Sequence, residues 1–158
     1  MAPSPSAYRA AKPRGCASGR KQGLIRYIGI TTSETRDFAA VETVLRREKP
    51  DFLQVNYSLA DREAEKRLLP VAAEIGAAVL TDLPFGRGRV VFRAVRGRAV
   101  PDWAREFDAA SWGQSFLKYL LGDERVTAVI PGTDKPQNMA EISAPDAVTS
   151  PMPRSAVE

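Results

Sequence analysis

A chain of 158 residues with 44% hydrophobic and 27% charged side chains can bury the core of one globular domain and has an ordinary soluble composition. One cysteine and no histidine exclude a disulfide framework and every Ser-His or Cys-His nucleophile, and they argue against a protein zinc or iron site. The net charge of +4 is uneven: Arg9, Lys12, Arg14, Arg20 and Lys21 stand among residues 1–21 without an acid, which leaves −1 for residues 22–158.

Residues 1–21, rich in Pro, Ala, Ser and Gly, therefore read as a disordered basic leader, and the high isoelectric point is no sign of a nucleic-acid partner for the folded part. The leader has no apolar h-region, so it is not a secretory signal. No apolar run approaches the roughly 20 residues that span a bilayer, so no membrane partner is expected. The lone Cys16 fits a reducing cytoplasm.

Ordered structure is expected from about Gln22 to residue 144. A first strand is predicted over 25–31 (IRYIGIT), then a helix over Glu34–Glu48 with an apolar stripe of Phe38, Val41, Val44 and Leu45, stopped by Pro50. A second strand over 52–57 (FLQVNY) leads into Ser58-Leu59-Ala60-Asp61, a capping-box spacing, and a helix carrying Leu68, Val71, Ala72 and Ile75 up to Gly76. After a third strand over 78–82, a long irregular stretch from Asp82 to Pro101 holds Gly86, Gly88 and Gly97 among five arginines. Ser111-Trp112-Gly113-Gln114 predicts a capped helix whose one face carries Trp112, Phe116, Tyr119 and Leu120, ending at Gly122. A fourth strand over 126–131 runs into Pro131-Gly132-Thr133 and a short helix that Asp134 is placed to cap. Residues 145–158 read as a disordered tail.

Four apolar, β-branched strands separated by helices predict an α/β fold with a parallel sheet, its strands buried on both faces. Four βα units are half of a TIM-type (β/α)8 barrel. Such sheets place ligands at the carboxyl ends of their strands, here occupied by TTS, NYS, DLPFGRG and PGTDKP.

Each of these segments has two readings. Gly132-Thr133 between strand and helix suits a phosphate, with Lys135 as a nearby cation, or simply makes a tight turn. Phe85-Gly86-Arg87-Gly88 offers close backbone approach and a bidentate cation for a pyrophosphate, or is a solvated arginine loop. Gln54, polar in mid-strand, needs a partner from backbone, water or a ligand amide. Thr31-Thr32-Ser33 contacts a ligand or caps the next helix. Asp82 and Tyr57 are candidate acid–base groups, with a cap or turn role as the plainer reading for Asp82. Trp103 and Trp112 read as packing residues.

Taken in order, RYIGITTS, PDFLQVNYSLADREAEKRLLP, LPFGRG, PDWAREFDAASWGQSFLKYLL and VTAVIPGTDKP resemble the carboxyl-terminal half of an aldo/keto reductase, over about Gly23 to Ala144. The resemblance implies a (β/α)8 barrel that reduces carbonyls by hydride transfer from NADPH, with NADH as the alternative cofactor, and without a metal. It places Thr31, Thr32 and Gln54 on the nicotinamide carboxamide and Pro84, Phe85, Gly86, Arg87 and Gly88 over the pyrophosphate. Gly132 and Thr133 fall at the adenosine 2′-phosphate and ribose, and Gln137 and Glu141 on the helix flanking the adenine.

Three positions depart from the pattern. Asp82-Leu83 stands where a flat side chain often stacks on the nicotinamide, Asn138 where an arginine commonly meets the 2′-phosphate, and Ile142 where an asparagine is common. The family's catalytic Asp, Tyr, Lys and His belong to its amino-terminal half, so no catalytic residue is assigned here. The expectation is a truncated reductase with little activity alone, which takes a carbonyl substrate only when the missing half is supplied. A nonenzymatic nucleotide- or partner-binding subunit is the alternative, and the unpaired strand edges predict self-association.

Overall fold

In the computed structural model, which describes residues 13–143, four parallel strands form one sheet. They are β1 (Gly29–Thr32), β2 (Phe52–Asn56), β3 (Ala78–Asp82) and β4 (Ala128–Val129), adjacent in chain order. The helices are α1 (Pro13–Lys21), α2 (Phe38–Glu48), α3 (Glu63–Lys66), α4 (Leu68–Ile75), α5 (Val90–Ala94), α6 (Trp112–Leu121) and α7 (Pro136–Ile142). Parallel neighbours need a long crossover, and each is supplied by the helices between successive strands. Four such units are the arrangement of a partial (β/α)8 barrel, the fold class the pattern predicts.

The strands are buried on one face, not two. Side chains alternate along a strand, and Leu53, Val55, Val79 and Thr81 meet the helices, where Phe38, Val41, Leu45, Leu68, Leu69 and Ala72 close the core. The other face carries Thr31, Gln54, Leu80 and Ala128 in one register row, exposed at Thr31 and half-buried across the rest. An apolar run cannot by itself distinguish these two cases, because the same residues serve a sheet covered on either side.

Several boundaries move for local reasons. The first strand begins at Gly29, not at residue 25, because β2 offers it partners only from Phe52 onward. Leu24 and Tyr27 are left exposed, Tyr27 leaning edge-on against Phe52 at 5.8 Å. The fourth strand shrinks to two residues because Leu83 adopts a left-handed φ of 50° and turns the chain away just beyond Asp82. The basic leader is helical over its last part, α1, where Arg20 pairs with Asp51 at 3.0 Å; residues 1–12 and 144–158 lie outside the described residues. Ser58 does not cap a helix: it exchanges backbone hydrogen bonds with Asp61 in a tight turn, and helix starts only at Glu63.

Ser111 does cap α6, accepting from the Gln114 N–H at 3.2 Å. That helix is buried all along Gly113–Leu120, beyond the one face its periodicity predicts, because α7 and the segment after β3 cover its outer side. Nor is the stretch from Asp82 to Pro101 irregular throughout. A 3-10 turn over Arg87–Arg89 and α5 occupy its middle, with Val91 buried and Phe92 packed between Phe85 and Phe116.

Below the sheet a polar cluster ties the crossovers together. Tyr57 and Tyr119 both donate hydroxyl hydrogen bonds to Glu65 Oε1 (2.7 and 3.5 Å), and Arg62 grips both carboxylate oxygens of Glu65 at 3.0 and 3.2 Å. Both tyrosines are fully or nearly buried, so removing Glu65 costs each of them a hydrogen bond away from water. We expect Glu65→Ala to destabilise the fold by about 2–4 kcal/mol in urea unfolding, whereas removing the exposed Arg47–Glu48 pair changes it by about 0–1 kcal/mol.

Candidate functional site

In-register parallel pairing brings the carboxyl ends of all four strands to one rim. The turn after β3 starts with Leu83 at positive φ and closes with the Gly86 N–H donating to the Leu83 carbonyl at 2.8 Å. Gly86 itself sits at φ 70° and ψ 164°, a region open essentially to glycine alone. A Cβ there would meet Val90 Cγ1 at 2.5 Å. Pro84 is buried beneath this turn, and Phe85 stacks obliquely on Phe92 with ring centroids 4.9 Å apart. Gly88 lies within the following 3-10 turn.

Arg87, although its side chain is exposed, has partners. Its guanidinium donates to the Ser33 carbonyl at 2.9 Å and pairs with Glu34 at 2.6 Å, so the loop after β3 is fastened across the rim to the loop after β1. The pyrophosphate cation of the sequence reading is thus already engaged by a carboxylate.

A cavity of about 320 Å³ opens between the loop after β3 and the turn after β4. Phe85, Arg89 and Phe92 form one wall, Gly132, Thr133, Lys135 and Asn138 the other, and Gly113, Glu141 and Ile142 the floor between α6 and α7. Thr133 Oγ1 accepts from the Lys135 N–H at 3.2 Å and from Asn138 Nδ2 at 3.3 Å. That role displaces Asp134 as the organiser of the turn, and α7 begins without a side-chain cap. Gly132 has no heavy atom within 4 Å of a notional Cβ, so packing does not require glycine there.

The residues predicted for the adenosine end are therefore divided. Phe85, Gly132, Thr133 and Glu141 line one cavity, while Gln137 is exposed and outside its lining. At the other end of the rim, Thr31 and Gln54 are register partners on the open face. Thr32 points the opposite way, buried against the helices with its hydroxyl near the Glu34 carbonyl at 3.4 Å, so the two threonines do not share a ligand group.

Neither proposed acid–base side chain stands free. Tyr57 faces the helices and donates to Glu65, and Asp82 Oδ2 accepts from the Ser33 hydroxyl at 2.6 Å. Asp82 Oδ1 and its register neighbour Asn56 Oδ1 are buried acceptors without a hydrogen-bond partner among the described residues. Asn56 escaped the sequence reading, as did Arg89 and Phe92 in the cavity wall. The alternation that placed Gln54 on the rim face also places Asn56 there, two residues on.

Four parallel βα units in one sheet define the class, a partial barrel, with a cavity between the segments that follow β3 and β4. The chain belongs to the aldo/keto reductase family, a family of oxidoreductases, whose pattern matches residues 3–145 and so takes in part of the basic leader as well. No curated protein matches it. Among the described residues no helix is long and apolar enough to cross a membrane, and no cluster of three or more His, Cys, Asp or Glu side chains is placed to hold a metal ion.

Two backbone positions generate opposite predictions. Gly86→Ala is expected to destabilise by about 1–3 kcal/mol from backbone strain, with further disorder of the loop from the Val90 clash. Arg89 adopts φ 55° without being glycine, so Arg89→Gly is expected to raise the melting temperature by about 2–4 °C. Thermal unfolding of the two variants checks both signs.

Proposed function

We propose that this chain is the dinucleotide-holding, carboxyl-terminal part of an aldo/keto reductase and binds NADPH, or less tightly NADH, at the rim of its half-barrel. The observation that carries the reading is the cavity beside β4. It combines an aromatic wall of Phe85 and Phe92, suited to an adenine, with the Thr133 hydroxyl and the Arg89 and Lys135 cations, suited to phosphate. Pro84, Gly86 and Gly88 would let the loop after β3 lie close to the pyrophosphate.

At the far end of the rim, Thr31 and Gln54 would hold the nicotinamide carboxamide. The unpartnered Asn56 and Asp82 oxygens supply acceptors of the kind its N–H groups need. The cofactor supplies the hydride when bound. The chain's own residues hold and orient it, and the Arg87–Glu34 bridge fixes the loop that would cover it.

Carbonyl reduction also needs a proton, and among its described residues the chain offers no tyrosine or histidine donor at the rim. It contains no histidine, and the hydroxyls of Tyr57 and Tyr119 are committed to Glu65 below the sheet. Positioned general acid catalysis contributes about 10²–10⁴-fold, so the polypeptide alone should be close to inactive toward carbonyl substrates. A second half-barrel bearing the acid would complete the site and bring the substrate. The half-exposed face of the sheet and its free edges also suit a nonenzymatic subunit that binds nucleotide and docks on a partner or on another copy. The lone Cys16 supports a cytoplasmic setting.

Calorimetry with NADPH is the direct test: binding in the micromolar to millimolar range is expected, weakened about tenfold or more by Gly132→Val, whose added Cβ has no heavy atom within 4 Å in the free protein. Unaltered affinity in that variant would remove the cavity from the reading. Measurable aldehyde reduction by the purified chain would overturn the claim of inactivity.

A further inference from the structure

Resting on the dinucleotide reading above, we propose that Arg89 is the residue that selects the 2′-phosphorylated cofactor, by pairing with a phosphomonoester on the adenosine ribose. Arg89 and Lys135 are the cations of the cavity lining, contributed by the loop after β3 and the turn after β4. Arg89 also borders a shallower depression with Phe92, Arg93 and Arg96, so one guanidinium joins the cavity to a wider positive field. Arg89 at the N-cap of α5, Arg93 within it and Arg96 in the turn that follows all line that depression.

Availability separates Arg89 from Arg87. Arg87 is bound at 2.6 Å to Glu34 and at 2.9 Å to a carbonyl. Among the described residues Arg89 pairs with Asp134, at 3.9 Å, and Asp134 is 87% exposed. Such a loose, solvated pair is displaced readily by a dianion that offers two oxygens to a guanidinium.

The other polar residues of the wall do not compete for the role. Asn138 is neutral and donates to Thr133, and Lys135 is a point charge without the guanidinium's two-pronged geometry. Glu141, on the floor of the cavity, repels a phosphate from the adenine end and so confines it toward Arg89 and Lys135. Selection by charge rather than shape follows, because a 2′-hydroxyl leaves Arg89 paired with Asp134 and nothing gained.

The test titrates the full chain with 2′,5′-ADP and with 5′-AMP, which differ by the 2′-phosphate, and repeats both with Arg89→Ala, Arg89→Lys and Arg89→Gly. The wild type should bind 2′,5′-ADP about 10–100-fold tighter than 5′-AMP, with the margin shrinking as salt rises. Arg89→Ala should abolish most of that margin and leave 5′-AMP affinity within about twofold, and Arg89→Lys should restore part of it. Arg89→Gly, which suits the positive φ, shows the same loss in a chain whose folding is not at risk. A margin unchanged in the Ala and Gly variants, or no margin in the wild type while 5′-AMP still binds, overturns the assignment and leaves the dinucleotide reading standing. Binding of neither nucleotide overturns both.

Discussion

The pairing of β2 with β3, in register from Phe52–Ala78 to Asn56–Asp82, is the constraint on which the rest of the molecule depends. Parallel strands that start level also finish level, and their loops then emerge on the same side. The helix-facing side chains of the same two strands, Leu53, Val55 and Val79, are fully buried under α2 and α4, so the pairing is held by the core as well as by the ladder. β1 extends this arrangement with four matched positions and β4 with two.

Above that level the rim is built less by regular structure than by a few anchored side chains. An aromatic chain runs from Phe85 through Phe92 to Phe116 and Trp112, with successive centroids 4.9, 5.4 and 5.7 Å apart. It fixes the loop after β3 to α6 from behind, while Arg87 fastens it to Glu34 in front. A loop restrained at both sides has less conformational freedom left to lose when a ligand arrives. α6 and α7 meet where Gln114 Nε2 donates to the Glu141 carbonyl at 3.1 Å, which sets the floor of the cavity.

Much of this was legible in the residues because strand and helix carry different hydrophobic periods. All four strands and the helices with Phe38–Leu45, Leu68–Ile75 and Trp112–Leu120 fall where those periods place them. What the periods cannot express is pairing. The starts and ends of β1 and β4 depend on where a partner strand begins and on a left-handed Leu83, neither of which is marked locally. Ser58 illustrates the same limit, since its capping-box spacing serves a turn with Asp61. Glycines and hydroxyls next to strand ends drew the reading to Gly86, Gly132 and Thr133, of which Gly132 and Thr133 line the cavity beside β4. Arg89 and Phe92 were hidden because they enter the cavity through the folding of a stretch that reads as loop. Thr32 faces away from Thr31, because adjacency in a strand means opposite faces.

The two-residue contact of β4 gives the rim a gradient of rigidity. Gln54 and Asn56 rise from the most extensively paired part of the sheet, whereas Gly132 and Thr133 follow a strand held to β3 at only Leu80 and Thr81, with flanking bonds from Thr127 and Ile130. Amide protons near β4 should exchange through local opening that leaves β2 and β3 intact. A ligand laid along the rim would then be gripped firmly at one end and would itself order the other. Its residence time would be governed by how often the short edge strand lets go.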